Sequence, residues 1–142
     1  MNSIYSELIL EHNKSKHNHR NLEEPDAVER GHNPNCGDDL TLQIKVKDGH
    51  IEDAAFLGSG CAISQASMSI MIDMVKGMKL EEAKIRAEKF FDMIRGQDLS
   101  DEDLELLEDA VAFESLSKMP ARAKCGTLGW HCLDESINRV IK

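Results

Sequence analysis

The stretch that organises this chain runs from Leu40 to Cys61 and reads LTLQIKVKDGHIEDAAFLGSGC. Apolar residues occupy every second position from Leu40 to Val46, which is the period of a half-buried β-strand. The dipeptide Asp48-Gly49 follows, and it favours a type I′ turn because both central residues of that turn need positive φ. We therefore predict an antiparallel hairpin whose two strands flank this turn.

The register of the hairpin predicts an irregularity in its second strand, which we expect from His50 to about Gly58. Pairing across a two-residue turn places Lys45 opposite Glu52, and such a pair of opposite charges is favourable. The same register turns Asp53 toward the apolar face, because side chains alternate strictly along a strand. We therefore expect a β-bulge at Asp53.

Helical patterns flank the hairpin on both sides. The first three predicted helices span 3–14, 62–76 and 80–95, and Gly77 and Gly96 end the second and third. A short acidic helix opens at Ser100-Asp101-Glu102-Asp103. After a break at Pro120, a last helix runs from Cys125 or Gly126 to Ile141. A short strand is predicted near 27–31. This order predicts an α+β fold, in which helices pack on one face of a small antiparallel sheet within a single domain over 1–142.

Residues 12 to 20 read HNKSKHNHR, and this polar, basic composition predicts a mobile connector. Its histidines, His12, His17 and His19, could bind a metal adventitiously, but solvation is the favoured interpretation.

The overall charge and hydropathy exclude several classes of protein. The net charge is −9, and this argues against nucleic acid, which is bound by Lys and Arg, and against an anionic membrane surface. No apolar run approaches the ~20 residues of a membrane-spanning helix. The first residues lack the pattern of a secretory signal, so we expect a cytoplasmic protein with reduced thiols.

Three of the four cysteines, Cys36, Cys61 and Cys125, have a glycine as a neighbour, and Asp38 lies two residues after the first of them. Glycine permits crowded backbone conformations in which a sulfur is aimed at a shared point. Three thiolates and one carboxylate match a tetrahedral zinc set. The alternatives are that the cysteines are small buried hydrophobic residues and that Asp38 is a turn residue.

The predicted elements place these residues differently. Cys61 and Cys125 are expected at helix starts, where unpaired N–H groups favour a thiolate, whereas Cys36 is expected in a loop that can move. Cys132 lies two helical turns after Cys125, about 10 Å away, so it is predicted to pack in the core rather than to bind the same ion. Arg122 and Lys124 flank Cys125. They are either counter-charges to the site or solvated cations.

The chain resembles the IscU/SufU family of iron–sulfur cluster assembly proteins from Leu8 to about Trp130. The resemblance is carried by four stretches: Asn33-Pro34-Asn35-Cys36-Gly37-Asp38, Leu42-Gln43-Ile44-Lys45-Val46, Gly58-Ser59-Gly60-Cys61-Ala62-Ile63-Ser64 and Lys124-Cys125-Gly126-Thr127-Leu128-Gly129-Trp130. The IscU branch has His before the third Cys, whereas this chain has Lys124. It also carries an acidic helical stretch over about 97–118. Both features resemble the SufU branch.

The resemblance implies a zinc-bound sulfur acceptor, a sulfurtransferase if it is an enzyme. Its partner would be a SufS-like, pyridoxal-phosphate-dependent cysteine desulfurase, and its product would pass to the downstream cluster assembly machinery. Cys36 is the expected acceptor, with Cys36, Asp38, Cys61 and Cys125 as zinc ligands and no further cofactor. One alternative is a scaffold that assembles a [2Fe–2S] cluster, with iron or a transient cluster on the same residues. The other is a non-catalytic, zinc-stabilised interaction module.

Overall fold

The computed structural model describes residues 3–34 and 37–141, with side chains from residue 6 onward. Three strands and six helical segments occur within these residues. They are α1 Ser3–Ser15, β1 Ala27–Asn33, β2 Asp38–Lys47, β3 His50–Ser59, α2 Ala62–Val75, α3 Leu80–Ile94, α4 Asp101–Leu107, a 3₁₀ helix Glu108–Lys118 and α5 Pro120–Ile141.

The strands form an antiparallel sheet in the order β1-β2-β3, and α2 and α5 pack against it. The predicted α+β class is therefore confirmed. The core between the layers is built from the apolar side chains of β2 together with α2 and α5, and fully buried Trp130 stacks on Phe90 with ring centroids 4.3 Å apart. No helix in the described part of the chain is long and apolar enough to cross a membrane.

The β2–β3 hairpin contains the predicted bulge. The register shifts between Lys45 and Val46, so that Lys45 pairs with Asp53 and Glu52 is the additional residue. The expected pairing of Lys45 with Glu52 is therefore wrong by one position, because the bulge occurs before Asp53 rather than at it. The shift keeps Asp53 off the apolar face. Its Oδ1 accepts a hydrogen bond from Arg20 Nη2 at 2.6 Å.

The last helix begins earlier than the sequence analysis predicts. Proline stands at the first position of α5 rather than breaking the chain before it, because its fixed φ suits that position and its missing N–H is not needed there. Cys125 is therefore the sixth residue of α5, in its second turn, and not the residue at its start.

The predicted mobile connector over 12–20 is instead held against α2 and β3. Asn18 is fully buried, and its Nδ2 donates to Ser69 O at 3.0 Å. The backbone carbonyl of Asn18 accepts a hydrogen bond from Phe56 N at 2.9 Å, and Arg20 N donates to Phe56 O at 3.1 Å. These partners lie more than thirty residues away, so the local composition gives no sign of them.

Candidate metal centre

Three of the four predicted ligand residues converge at one end of the sheet. One ligand atom from each of Asp38, Cys61 and Cys125 lies within 4.8 Å of the others. The fourth, Cys36, lies outside the described residues, so its place in the site stays a prediction.

Asp38 supplies the oxygen of this cluster. It is the first residue of β2 and is fully buried. Its Oδ1 accepts hydrogen bonds from Cys61 N at 2.8 Å and from Ser64 Oγ at 3.0 Å. Its Oδ2 is buried and accepts no hydrogen bond from any described residue. A buried carboxylate oxygen without a partner is costly, so this atom fits a cation that would bind beside it.

Cys61 is placed at the amino end of α2, as predicted. It is the N-cap residue of that helix, and its Sγ accepts a hydrogen bond from Ser64 N at 3.4 Å. A backbone donor and the positive end of the helix dipole both favour a thiolate here. Gly60 permits the close approach, because a Cβ at that position would lie 2.7 Å from Asp38 Oδ1 and 2.6 Å from Ser64 Oγ.

Cys125 reaches the cluster from the second turn of α5 and is almost fully buried. Its Sγ lies 3.8 Å from Ala121 O, to which the thiol donates. A carbonyl acceptor favours the protonated thiol, and the effect of a helix start fades beyond the first turn. The predicted help from a helix start is therefore wrong for Cys125, and a cation is the group that would stabilise its thiolate.

The cluster opens to the surface through a shallow depression of about 410 Å³. It is lined by Cys61, Ala62, Ile63, Arg122 and Cys125. The side chain of Arg122 is exposed, so its positive charge lies at the edge of the depression and does not fill it. The depression therefore gives a route from the surface to the two cysteines.

Cys132 lies elsewhere, as the helical spacing predicts. It is 3% exposed, and burial, reinforced by the charge of Glu29, raises the pKa of its thiol to about 12. Its sulfur packs against β1, where a Cβ on Gly31 would lie 2.7 Å from it.

Sequence reasoning anticipated a glycine beside Cys61 but gave no role to Ser64. Ser64 Oγ donates to the carboxylate of Asp38, and its backbone N–H donates to Cys61 Sγ. A serine three residues after an N-cap is the available signal, because its backbone N–H is one of the unpaired donors of the first turn.

A buried aspartate at the start of β2, a cysteine that caps α2 and a second cysteine within α5 define a class of α+β proteins with a candidate metal centre at one end of a small antiparallel sheet. The family model of the NifU-like N terminal domain matches residues 4–138, and the chain belongs to this family.

Individual relatives agree with this assignment and with the predicted IscU/SufU resemblance. The chain is 40% identical over 139 residues to the iron-sulfur cluster assembly scaffold protein IscU of Streptococcus pyogenes serotype M1, which covers 98% of this chain and 86% of the relative. It is 36% identical over 137 residues to the zinc-dependent sulfurtransferase SufU of Bacillus subtilis (strain 168), which covers 96% of this chain and 91% of the relative.

Solved structures agree as well. The crystal structure of a putative iron-sulfur cluster assembly scaffold protein for the SUF system from Fervidobacterium islandicum AW-1 matches with a TM-score of 0.87 and 34% identity. The match covers 94% of this chain and 96% of that chain. The structural match therefore agrees with the family assignment.

Proposed function

We propose that this chain accepts persulfide sulfur from a cysteine desulfurase and delivers it to iron–sulfur cluster assembly. The observation that carries the proposal is the buried Oδ2 of Asp38, which no described residue satisfies, beside two cysteine sulfurs. Relatives over nearly the whole chain bear the names scaffold and zinc-dependent sulfurtransferase, and both names belong to cluster assembly.

Cys36, Asp38, Cys61 and Cys125 are the residues that would hold zinc in this proposal. Bound zinc would supply positive charge that keeps the cysteines deprotonated at neutral pH. Cys61 is held at the start of α2 and Cys125 within α5. Cys36 belongs instead to the segment between β1 and β2. This difference favours Cys36 as the residue that receives sulfur, with the others as the fixed part of the site.

The transfer step requires no change in overall oxidation level. The thiolate of Cys36 attacks the outer sulfur of the donor's persulfide, and a new S–S bond forms as the donor's S–S bond breaks. The donor cysteine leaves as a thiolate, so one persulfide is exchanged for another. Reduced thiols are needed for this step, which favours a cytoplasmic location.

The second candidate function is a scaffold that builds a [2Fe–2S] cluster on the same residues. It is favoured by the name of the Streptococcus pyogenes relative and by the same two cysteine sulfurs, because iron in such clusters also takes thiolate ligands. Visible absorption after anaerobic reconstitution with iron and sulfide distinguishes it from zinc-dependent sulfur transfer.

The experiment that tests the proposal follows sulfur onto the protein. The zinc-loaded chain is incubated with a pyridoxal-phosphate cysteine desulfurase and cysteine, and its peptides are then examined by mass spectrometry. We expect the mass of one added sulfur on the Cys36 peptide in the parent and in Cys132→Ser. Cys36→Ser should show none.

Two outcomes would contradict this assignment. Sulfur addition at Cys61 in the parent would move the acceptor role to that residue. No addition anywhere in the zinc-loaded parent would leave a zinc-stabilised interaction module as the better account.

A further inference from the structure

A second group of metal-type ligands lies far from the cysteine centre. One ligand atom from each of His12, His17 and Asp73 lies within 4.8 Å of the others. Asp73 stands twelve residues after Cys61 along α2, so roughly 18 Å of helix separates the two clusters. The group therefore cannot share an ion with the cysteine centre.

Hydrogen bonds orient both imidazoles of this group. His12 Nδ1 is hydrogen-bonded to Ser69 Oγ at 2.7 Å, and His17 Nδ1 is hydrogen-bonded to Ser15 Oγ. His17 thereby turns its Nε2 toward the carboxylate of Asp73, and His12 places one ring nitrogen within 4.8 Å of the other two ligand atoms. Metal-binding histidines in proteins are held in this way, because the hydrogen bond at one nitrogen fixes the tautomer and orientation of the other.

The side-chain amide of Asn18 contacts both His17 and Asp73, and its Nδ2 lies 3.1 Å from His17 Nε2. Asn18 Nδ2 donates to Asp73 Oδ1 at 2.9 Å, while His17 Nε2 lies 2.9 Å from Asp73 Oδ2. Burial opposes ionisation of Asp73, but the hydrogen bonds from Asn18 and His17 outweigh it and lower the pKa of this carboxyl. Burial also lowers the pKa of His12.

An ordinary surface ion pair explains only part of this arrangement. The side chains of His17 and Asp73 are 46% and 44% exposed, and a pair so exposed contributes little to stability. Such a pair gives no reason for His12 to approach it, yet the His12 and His17 ring centroids are 5.4 Å apart. Two imidazoles that converge on one carboxylate form the donor set of a divalent transition metal rather than of a salt bridge.

We propose that His12, His17 and Asp73 bind a second divalent ion of the zinc type, independently of the cysteine centre. A cavity of about 130 Å³ borders His12 and Asp73 and is also lined by Asp109, so it has room for water as a fourth ligand. The ion would tie the end of α1 and the following segment to the last turn of α2.

Zinc itself is the probe that tests this site. The chain is stripped of metal under reducing conditions and titrated with zinc, and the bound equivalents are counted by elemental analysis after desalting. We expect two zinc equivalents in the parent and one in both His17→Gln and Asp73→Asn. His50→Gln, which changes a histidine on β3 outside the group, should keep two. His17 and Asp73 are substantially exposed, so both variants should fold, which circular dichroism checks.

Cobalt distinguishes the two sites in the same proteins. Thiolate ligands give cobalt a charge-transfer absorption that imidazole and carboxylate do not. His17→Gln should keep this absorption at full strength while losing one metal equivalent, whereas Cys61→Ser should lose the absorption and keep the other equivalent. If His17→Gln and Asp73→Asn both bind as much zinc as the parent, or if the parent binds only the ion that carries thiolate absorption, the second site does not exist.

Discussion

Cys125 and Cys132 stand on one helix, two turns apart, and have almost the same exposure, 2% and 3%. Their surroundings differ completely. The sulfur of Cys125 lies with that of Cys61 and the carboxylate of Asp38 beside an open depression. The sulfur of Cys132 is packed against β1, and its surroundings raise the pKa of its thiol to about 12. Burial alone therefore does not decide what a cysteine does.

What separates the two cysteines is how the nearby carboxylate is paired: Glu29 Oε2, near Cys132, lies 3.1 Å from Arg139 Nε, whereas Asp38 Oδ2 has no partner among the described residues. The cluster around Cys125 contains a buried carboxylate oxygen that no described residue satisfies, so a cation there would be strongly favoured. Around Cys132, burial and the negative charge of Glu29 both favour the neutral thiol. The first environment would hold a charged sulfur only with a cation bound, whereas the second favours an uncharged one.

Zinc removal should produce the largest difference between the two positions. With zinc at a thousandfold excess over its Kd, binding stabilises the folded state by about 4 kcal/mol. We expect chelation to lower the free energy of unfolding by about this amount in Cys132→Ala and in the parent, but scarcely at all in Cys125→Ser. Denaturant melts in a His17→Gln background measure the cysteine centre alone. Equal responses of the two cysteine variants would remove the distinction drawn between them.

A methyl group at Gly60 should disturb the cluster without changing any ligand. In Gly60→Ala the new Cβ would lie 2.7 Å from Asp38 Oδ1, so the carboxylate or the start of α2 must shift. Overpacking of this kind costs about 1–3 kcal/mol. We expect lower zinc affinity and a lower melting temperature, with the alkylation rate of Cys132 unchanged. Zinc affinity equal to that of the parent would show that Gly60 does not constrain the site.

Cys132→Ala should have the smallest effect, on the order of 1 kcal/mol, because it removes one sulfur from a packed position. Because the raised pKa keeps Cys132 a neutral thiol at pH 8, it should resist iodoacetamide in the native protein and react only after denaturation. Mass spectrometry of alkylated peptides checks this. Rapid native alkylation of Cys132 would mean that its surroundings are more open than the packing against β1 indicates.

The sequence predicts the local features of the site well, because they depend on short-range chemistry. Both central residues of the hairpin turn, Asp48 and Gly49, have positive φ, as a type I′ turn requires. Cys61 caps α2 as predicted, and Ser100 caps α4 by accepting a hydrogen bond from Asp103 N. Each of these features is decided by residues within four positions of one another.

The failures involve contacts over long distances or competing local rules. Pro120 fits both a break and a first helical position, and only the packing of α5 on the sheet selects the second. The segment that contains His12 and His17 is bonded to Ser69 and Asp73 in α2, although its residues 14–17 are exposed to solvent. Local composition does not distinguish a bonded polar segment from a solvated one.

X-ray absorption at the zinc edge tests the central claim most directly, since it counts sulfur and oxygen or nitrogen ligands around the bound ion. In the His17→Gln background the account predicts three sulfurs at about 2.3 Å and one oxygen at about 2.0–2.2 Å. Cys132→Ser should keep all three sulfurs, whereas Cys125→Ser should no longer retain zinc at this centre. A spectrum without sulfur, or a sulfur count that falls in Cys132→Ser and not in Cys125→Ser, would contradict the account.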